Sequence, residues 1–180
     1  MHILTRVPRR LAGVAAVAVA AALIPAAAVA ATASGGAAGQ AATPKCTTAG
    51  LVVWMDTNGD GAAGSIFYTL KFTNLSGHAC TLSGHPGVIA VSLNGTRLGH
   101  AARWDGPAPS LVRLANGATA TAVLQYSDVI TGNNHCQAPA AGLRVHPPGQ
   151  TASKVIPFPF TACANRTLVY LAVQPVGQEG

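Results

Sequence analysis

The chain has 180 residues, enough for one domain with tails, and a formal net charge of +6. Three of its eleven basic residues, Arg6, Arg9 and Arg10, fall in the first ten positions, leaving eight against five acids, or +3. Those charges are scattered, with no basic run and no interleaved aromatics, which argues against a nucleic-acid partner; only 9% of residues are charged, so Thr, Ser, Asn, Gln and Gly must cover the surface.

Residues 1–30 read as an export signal. Three arginines precede an apolar run from Leu11 to Ile24, and Ala28-Val29-Ala30 fits a small-x-small cleavage site near Ala30. The run is too short and Ala-rich for a membrane anchor, so the mature chain has no expected transmembrane segment. No lipobox cysteine follows it. Residues 31–45 form an Ala/Gly/Thr-rich tether that cannot bury a core. The expected localisation is secreted, in an oxidising compartment, where four cysteines without a Cys-x-x-Cys pair imply two disulfides rather than a metal site.

The folded domain spans 46–176, with 177–180 as a C-terminal tail. Leu51-Val52-Val53-Trp54-Met55 predicts a first strand, with Trp54 assigned to the core. Asp56 to Gly64 reads as a loop. Gly64–Asn74 predicts a long strand with Ile66, Tyr68, Leu70 and Phe72 on one face and Phe67, Thr69, Lys71 and Thr73 on the other. The short loop makes the pair antiparallel, so Cys46 and Cys80 fall at one end of a hairpin and are expected to bond.

Val88–Leu93 and Thr96–Ala102 form the next expected hairpin, around Asn94-Gly95, where both residues tolerate positive φ. Residues 103–109 read as a loop, its prolines excluding a central strand. Leu111–Leu114 and Ala118–Asp128 are strands joined at Asn116-Gly117. After a loop at 131–135, Leu143–His146 and Ser153–Phe160 form another hairpin, flanked by Cys136 and Cys163, which are expected to bond by the same argument. Thr167–Pro175 is a last strand, apolar on both faces and therefore central or covered. Eight or nine such strands imply an all-β antiparallel sandwich, with a closed barrel as the alternative.

Several motifs together resemble one family. Tyr68, Leu70, Phe72 and Asn74 are followed by Cys80-Thr81-Leu82-Ser83-Gly84-His85-Pro86-Gly87, then Leu114 to Ala120, Cys136, Leu143 to Gly149, and Cys163. This order resembles domain of unknown function 4232, found in secreted and lipid-anchored proteins of high-GC Gram-positive bacteria. The resemblance implies an immunoglobulin-like β-sandwich and no established activity.

Candidate chemistry is sparse. Asp56-Thr57-Asn58-Gly59-Asp60-Gly61 matches the opening of a calcium loop, with oxygens from Asp56, Asn58 and Asp60, but Phe67 stands where a bidentate Glu belongs. A polar turn between strands explains the same residues. Of His78, His85, His100, His135 and His146, none shows a close His-x-His or His-x-x-x-His spacing. His78 and His85 flank Cys80 and could meet across a turn as a zinc or copper set, with His135 as a distant third, while exposed loop histidines are the ordinary outcome. No nucleophile elbow and no recognisable carboxylate pair occurs, and bonded cysteines exclude thiol catalysis, so no enzymatic role and no cofactor are expected. Trp104, between Arg103 and Asp105 in a Pro/Gly loop, is either a partner-binding residue or a lid folded over the core. The sequons at Asn74, Asn94 and Asn165 follow from turn chemistry. The sequence thus points to a non-catalytic extracellular or envelope interaction module for a protein or glycan, the alternative being a ligand- or metal-binding secreted protein.

Overall fold

A computed structural model describes residues 42–128 and 136–178. The export signal, its cleavage site, most of the tether and the loop with His135 lie outside the described residues. Within them the chain is all-β, with two sheets packed as a sandwich and a short third ladder at one end.

The larger sheet is built on β8 (Thr119–Tyr126). One edge of β8 pairs antiparallel along its whole length with β2 (Ser65–Asn74), from Ile66↔Tyr126 to Thr73↔Thr119. Its other edge is shared by β11 (Leu171–Val173) and then β12 (Gly177–Gln178). Residues 177 and 178, expected in a tail, are therefore part of the sheet. β1 (Leu51–Ala62) lies outside β2, and β6 (Arg103–Trp104) lies outside β11. The β11–β6 pair is parallel, the one departure from antiparallel order among the described strand pairs.

The second sheet runs β10 (Lys154–Ala162), β9 (Ala138–His146), β4 (Gly87–Val91), β5 (Arg97–Leu98). β3 (Cys80–Leu82) and β7 (Val112–Leu114) form the third ladder. The core lies between the two main sheets. Leu70, Phe72, Ala120, Ala122, Leu124, Leu171 and Val173 come from one; Val88, Ala90, Leu143, Val145 and Ile156 come from the other. Period-two alternation on β2 and β8 delivers these rows, as the sequence led us to expect.

Both disulfides join the expected cysteines, Cys46–Cys80 and Cys136–Cys163. Each closes the open end of a hairpin, β1–β2 or β9–β10, and stabilises by about 3–4 kcal/mol in the chain-entropy picture.

The first hairpin corrects the sequence reading in three ways. Asp56 to Ala62 is strand, not loop, and the turn is only Ala63-Gly64, with φ of 46° and 78°. Two positive φ values in a two-residue turn match the right-handed twist of the strands, although Ala rarely adopts one. The Asp/Asn/Gly-rich residues 57–59 are accommodated as a register shift between Asp56 and Asp60. Trp54, assigned to the core, is 41% exposed. Alternation turns Leu51 and Met55 inward, so Trp54 faces out, its Nε1 donating to Thr73 Oγ1 at 3.1 Å under the Lys71 ammonium.

At Asn94-Gly95 only Gly95 takes positive φ. Gly95 N donates to Ser92 O and Ser92 N to Thr96 O, both at 2.9 Å, a three-residue loop with a bulge rather than the two-residue turn. Asn94 and Asn165 each accept from backbone N–H groups two residues ahead, consistent with turn chemistry at those sequons. Of the expected last strand only Leu171–Val173 is regular, and it is buried as expected.

Asn74 is fully buried at the end of β2. Its Nδ2 donates to the carbonyls of His78, Leu114 and Ala115 at 2.8, 3.1 and 3.2 Å. Its Oδ1 accepts from Ser76 N and Oγ. Replacing Asn74 by Ala removes the side-chain donor to the Leu114 and Ala115 carbonyls and leaves His78 O only its Ser76 Oγ partner at 3.1 Å, so we expect a loss of about 2–3 kcal/mol in urea unfolding. An Asn74→Ala chain with an unchanged urea midpoint contradicts this assignment.

Tyr170 is buried against the second sheet, its hydroxyl donating to Leu98 O at 3.0 Å. Burial pushes its pKa up to about 12, against a partial offset from a backbone hydrogen bond with Cys163. The unfolded phenol ionises near 10.0, so its contribution to stability is intact below that pH and lost as pH rises towards 12. The melting temperature should hold up to pH 10 and then fall, with a shallower fall in Tyr170→Phe. An identical decline in the variant would assign the effect elsewhere.

Candidate functional site

Of the three residues singled out as partner-binding, Arg103 and Trp104 form β6, the outer edge of the larger sheet, and Asp105 follows it directly. Register places Arg103 opposite Ala172 and Trp104 opposite Val173, and Asp105 N extends the ladder to Val173 O at 3.0 Å. The expected loop thus begins with an edge strand, and its prolines come only after that strand ends.

Strand alternation divides the trio between two faces. Arg103 and Asp105 lie on the face turned away from the core, where Arg103 Nη2 pairs with Asp105 Oδ2 at 3.2 Å. Both side chains are about half exposed. Trp104 lies on the other face and is 69% exposed, so it is not a lid over the core. Its ring stacks on His85, with centroids 5.2 Å apart and planes 10° from parallel. His85 Nε2 in turn bonds the Asp105 carbonyl at 3.0 Å. The segment carrying His85 is held in place because Val176 N donates to Gly84 O at 3.0 Å.

His85 is the member that sequence reasoning placed elsewhere, among metal candidates. Only the fold brings the β3–β4 link beside β6, and no local spacing announces it. The remaining candidates stay apart. His100 Nδ1 bonds the neighbouring Ala101 carbonyl, and His146 Nδ1 bonds the Thr151 carbonyl. Asp56 Oδ1 accepts from both the backbone N and Nδ2 of Asn58 at 3.0 Å, so these two satisfy one another, while Asp60 pairs with Phe67 beyond the register shift. Among the described residues no three His, Cys, Asp or Glu side chains are grouped to hold a metal ion. All four cysteines are bonded.

The edge therefore offers an exposed indole fixed from behind by an imidazole, and an ion pair on the opposite face. Such groups bind by stacking and hydrogen bonding. Residues 46–177 match the family model described as Domain of unknown function (DUF4232). The chain belongs to this family. The match opens on the first bonded cysteine and closes in β12, so it covers the whole sandwich, including the DUF4232 motif segment that supplies His85. No curated protein and no solved structure matches the chain.

Removing the His85 ring should leave the fold intact, because an exposed aromatic pair contributes about 1 kcal/mol. In a Trp54→Phe background, His85→Ala should shift Trp104 emission and increase its quenching by acrylamide. Unchanged emission and quenching would mean that the stack does not hold Trp104 in solution.

Proposed function

We propose that this DUF4232 chain is a secreted, non-catalytic interaction module that binds an extracellular protein or glycan through its β6 edge. The observation that carries this reading is Trp104, 69% exposed yet held against His85. A large rigid aromatic presented in a fixed pose loses little entropy on binding, which is how hot-spot residues act. The two disulfides suit an oxidising compartment, in line with the export signal read from residues 1–30. Among the described residues no helix is long and apolar enough to cross a membrane. The sandwich supplies a rigid frame, and recognition falls to the edge and loops that it holds.

The test is affinity capture from culture supernatant and cell-envelope fractions with the full exported chain as bait. We expect one protein or glycan to be recovered reproducibly, and recovery to fall about tenfold with Trp104→Ala at unchanged melting temperature. Equal recovery by Trp104→Ala, or no specific recovery by the wild-type chain, would overturn the assignment of this edge.

A further inference from the structure

Strand register aligns a row of side chains on the larger sheet's face away from the core. Phe67 pairs with Gln125, Gln125 with Ala172, and Ala172 with Arg103, so one line crosses β2, β8, β11 and β6. At about 4.8 Å between strands the row is roughly 14 Å long. Ala172 is short, and over it the surface sinks between its neighbours. A hollow of about 130 Å³ lies beside Arg103, Gln125 and Ala172. A second, of about 50 Å³, adjoins it between Phe67, Asp105, Gln125 and Gln174.

Three polar groups of this trough, on Gln125, Arg103 and Asp105, are held but not saturated. Gln125 Nε2 donates to Ser65 Oγ at 2.8 Å, which leaves its carbonyl oxygen available. The Arg103–Asp105 pair fixes both side chains at 3.2 Å, with further guanidinium donors and carboxylate lone pairs to spare. The two charges cancel, and the other trough residues are uncharged, so the trough matches a ligand without net charge. Planar groups that donate and accept within a short reach match hydroxyls, which do both. Phe67 adds an apolar surface at one end. Protein interfaces instead centre on dry patches depleted of charge.

We propose that this trough binds a neutral polysaccharide laid across the strands. Phe67 packs against a sugar ring, and Gln125, Arg103 and Asp105 bond its hydroxyls. The proposal rests on the protein being an extracellular interaction module and names the partner class as glycan; the trough lies on the face opposite Trp104 and shares with the β6 edge its Arg103–Asp105 pair. It is tested by affinity electrophoresis of the full exported chain through gels containing mannan, dextran, laminarin or xylan, and by retention on insoluble chitin and cellulose. We expect retention on at least one, insensitive to added salt, with apparent affinity about tenfold lower in Gln125→Ala and in Arg103→Ala/Asp105→Ala at unchanged melting temperature. Retention on none of them, retention abolished by salt, or retention unaffected by these variants would overturn the proposal. Trp104-dependent capture of a protein without polysaccharide retention would overturn the trough alone and leave the interaction module standing; failure of both would remove the two together.

Discussion

One buried amide organises the closed end of the sandwich. Asn74 ends the strand that pairs with the central β8, and its side chain meets carbonyls from two separate segments, 78 and 114–115. Its backbone adds two further bonds, N to Ala118 O and O from Gly117 N. Without water to substitute, every one of these groups must find its partner in the protein. The result fixes two turns at once, carrying Cys80 towards Cys46 and β3 onto β7. An Asp at this position lacks the donors and a Leu lacks both functions, so only a carboxamide of this length fits.

The parts of the fold legible in the sequence were those governed by local periodicity. Alternation on β2 and β8 identified the core rows, and placing cysteines just outside hairpin strands gave both disulfides. The misreadings came where tertiary packing overrode local preference. Asp, Asn and Gly at 56–61 disfavour a strand, yet the β2 edge recruits them into one and a register shift absorbs the misfit. Ala63 carries no turn signal, because its positive φ is imposed by the strands around it. Trp54 faces out despite its residue type, because Leu51 and Met55 set the inward phase of β1 and parity decides the rest. Two-residue strands such as β5, β6 and β12 exist only through their neighbours and leave no periodic trace.

The candidate site was half legible. Trp104 stood out as a large aromatic in a Pro/Gly-rich stretch, and Arg103 and Asp105 as its charged neighbours. Their division between two faces follows from an edge strand that the sequence did not announce. His85 lies about twenty positions away in the chain and joins Trp104 only because the β3–β4 link crosses the same end of the sheet. The outer-face trough is a property of register across four strands, which no single stretch of sequence encodes.

The ends of the two sheets have a further consequence, for self-association. A chain with only 9% charged residues has little electrostatic repulsion to keep copies apart, so its open strand edges are its main hazard. β1 presents a shifted, twisted edge with Asp56 and Asp60 along it. β10 carries Pro157 and Pro159 at its irregularity, where backbone donors are missing. β6 is two residues long and bounded by an ion pair. Each of these three edges is poorly suited to templating another strand, which offsets the weak charge repulsion of such a surface.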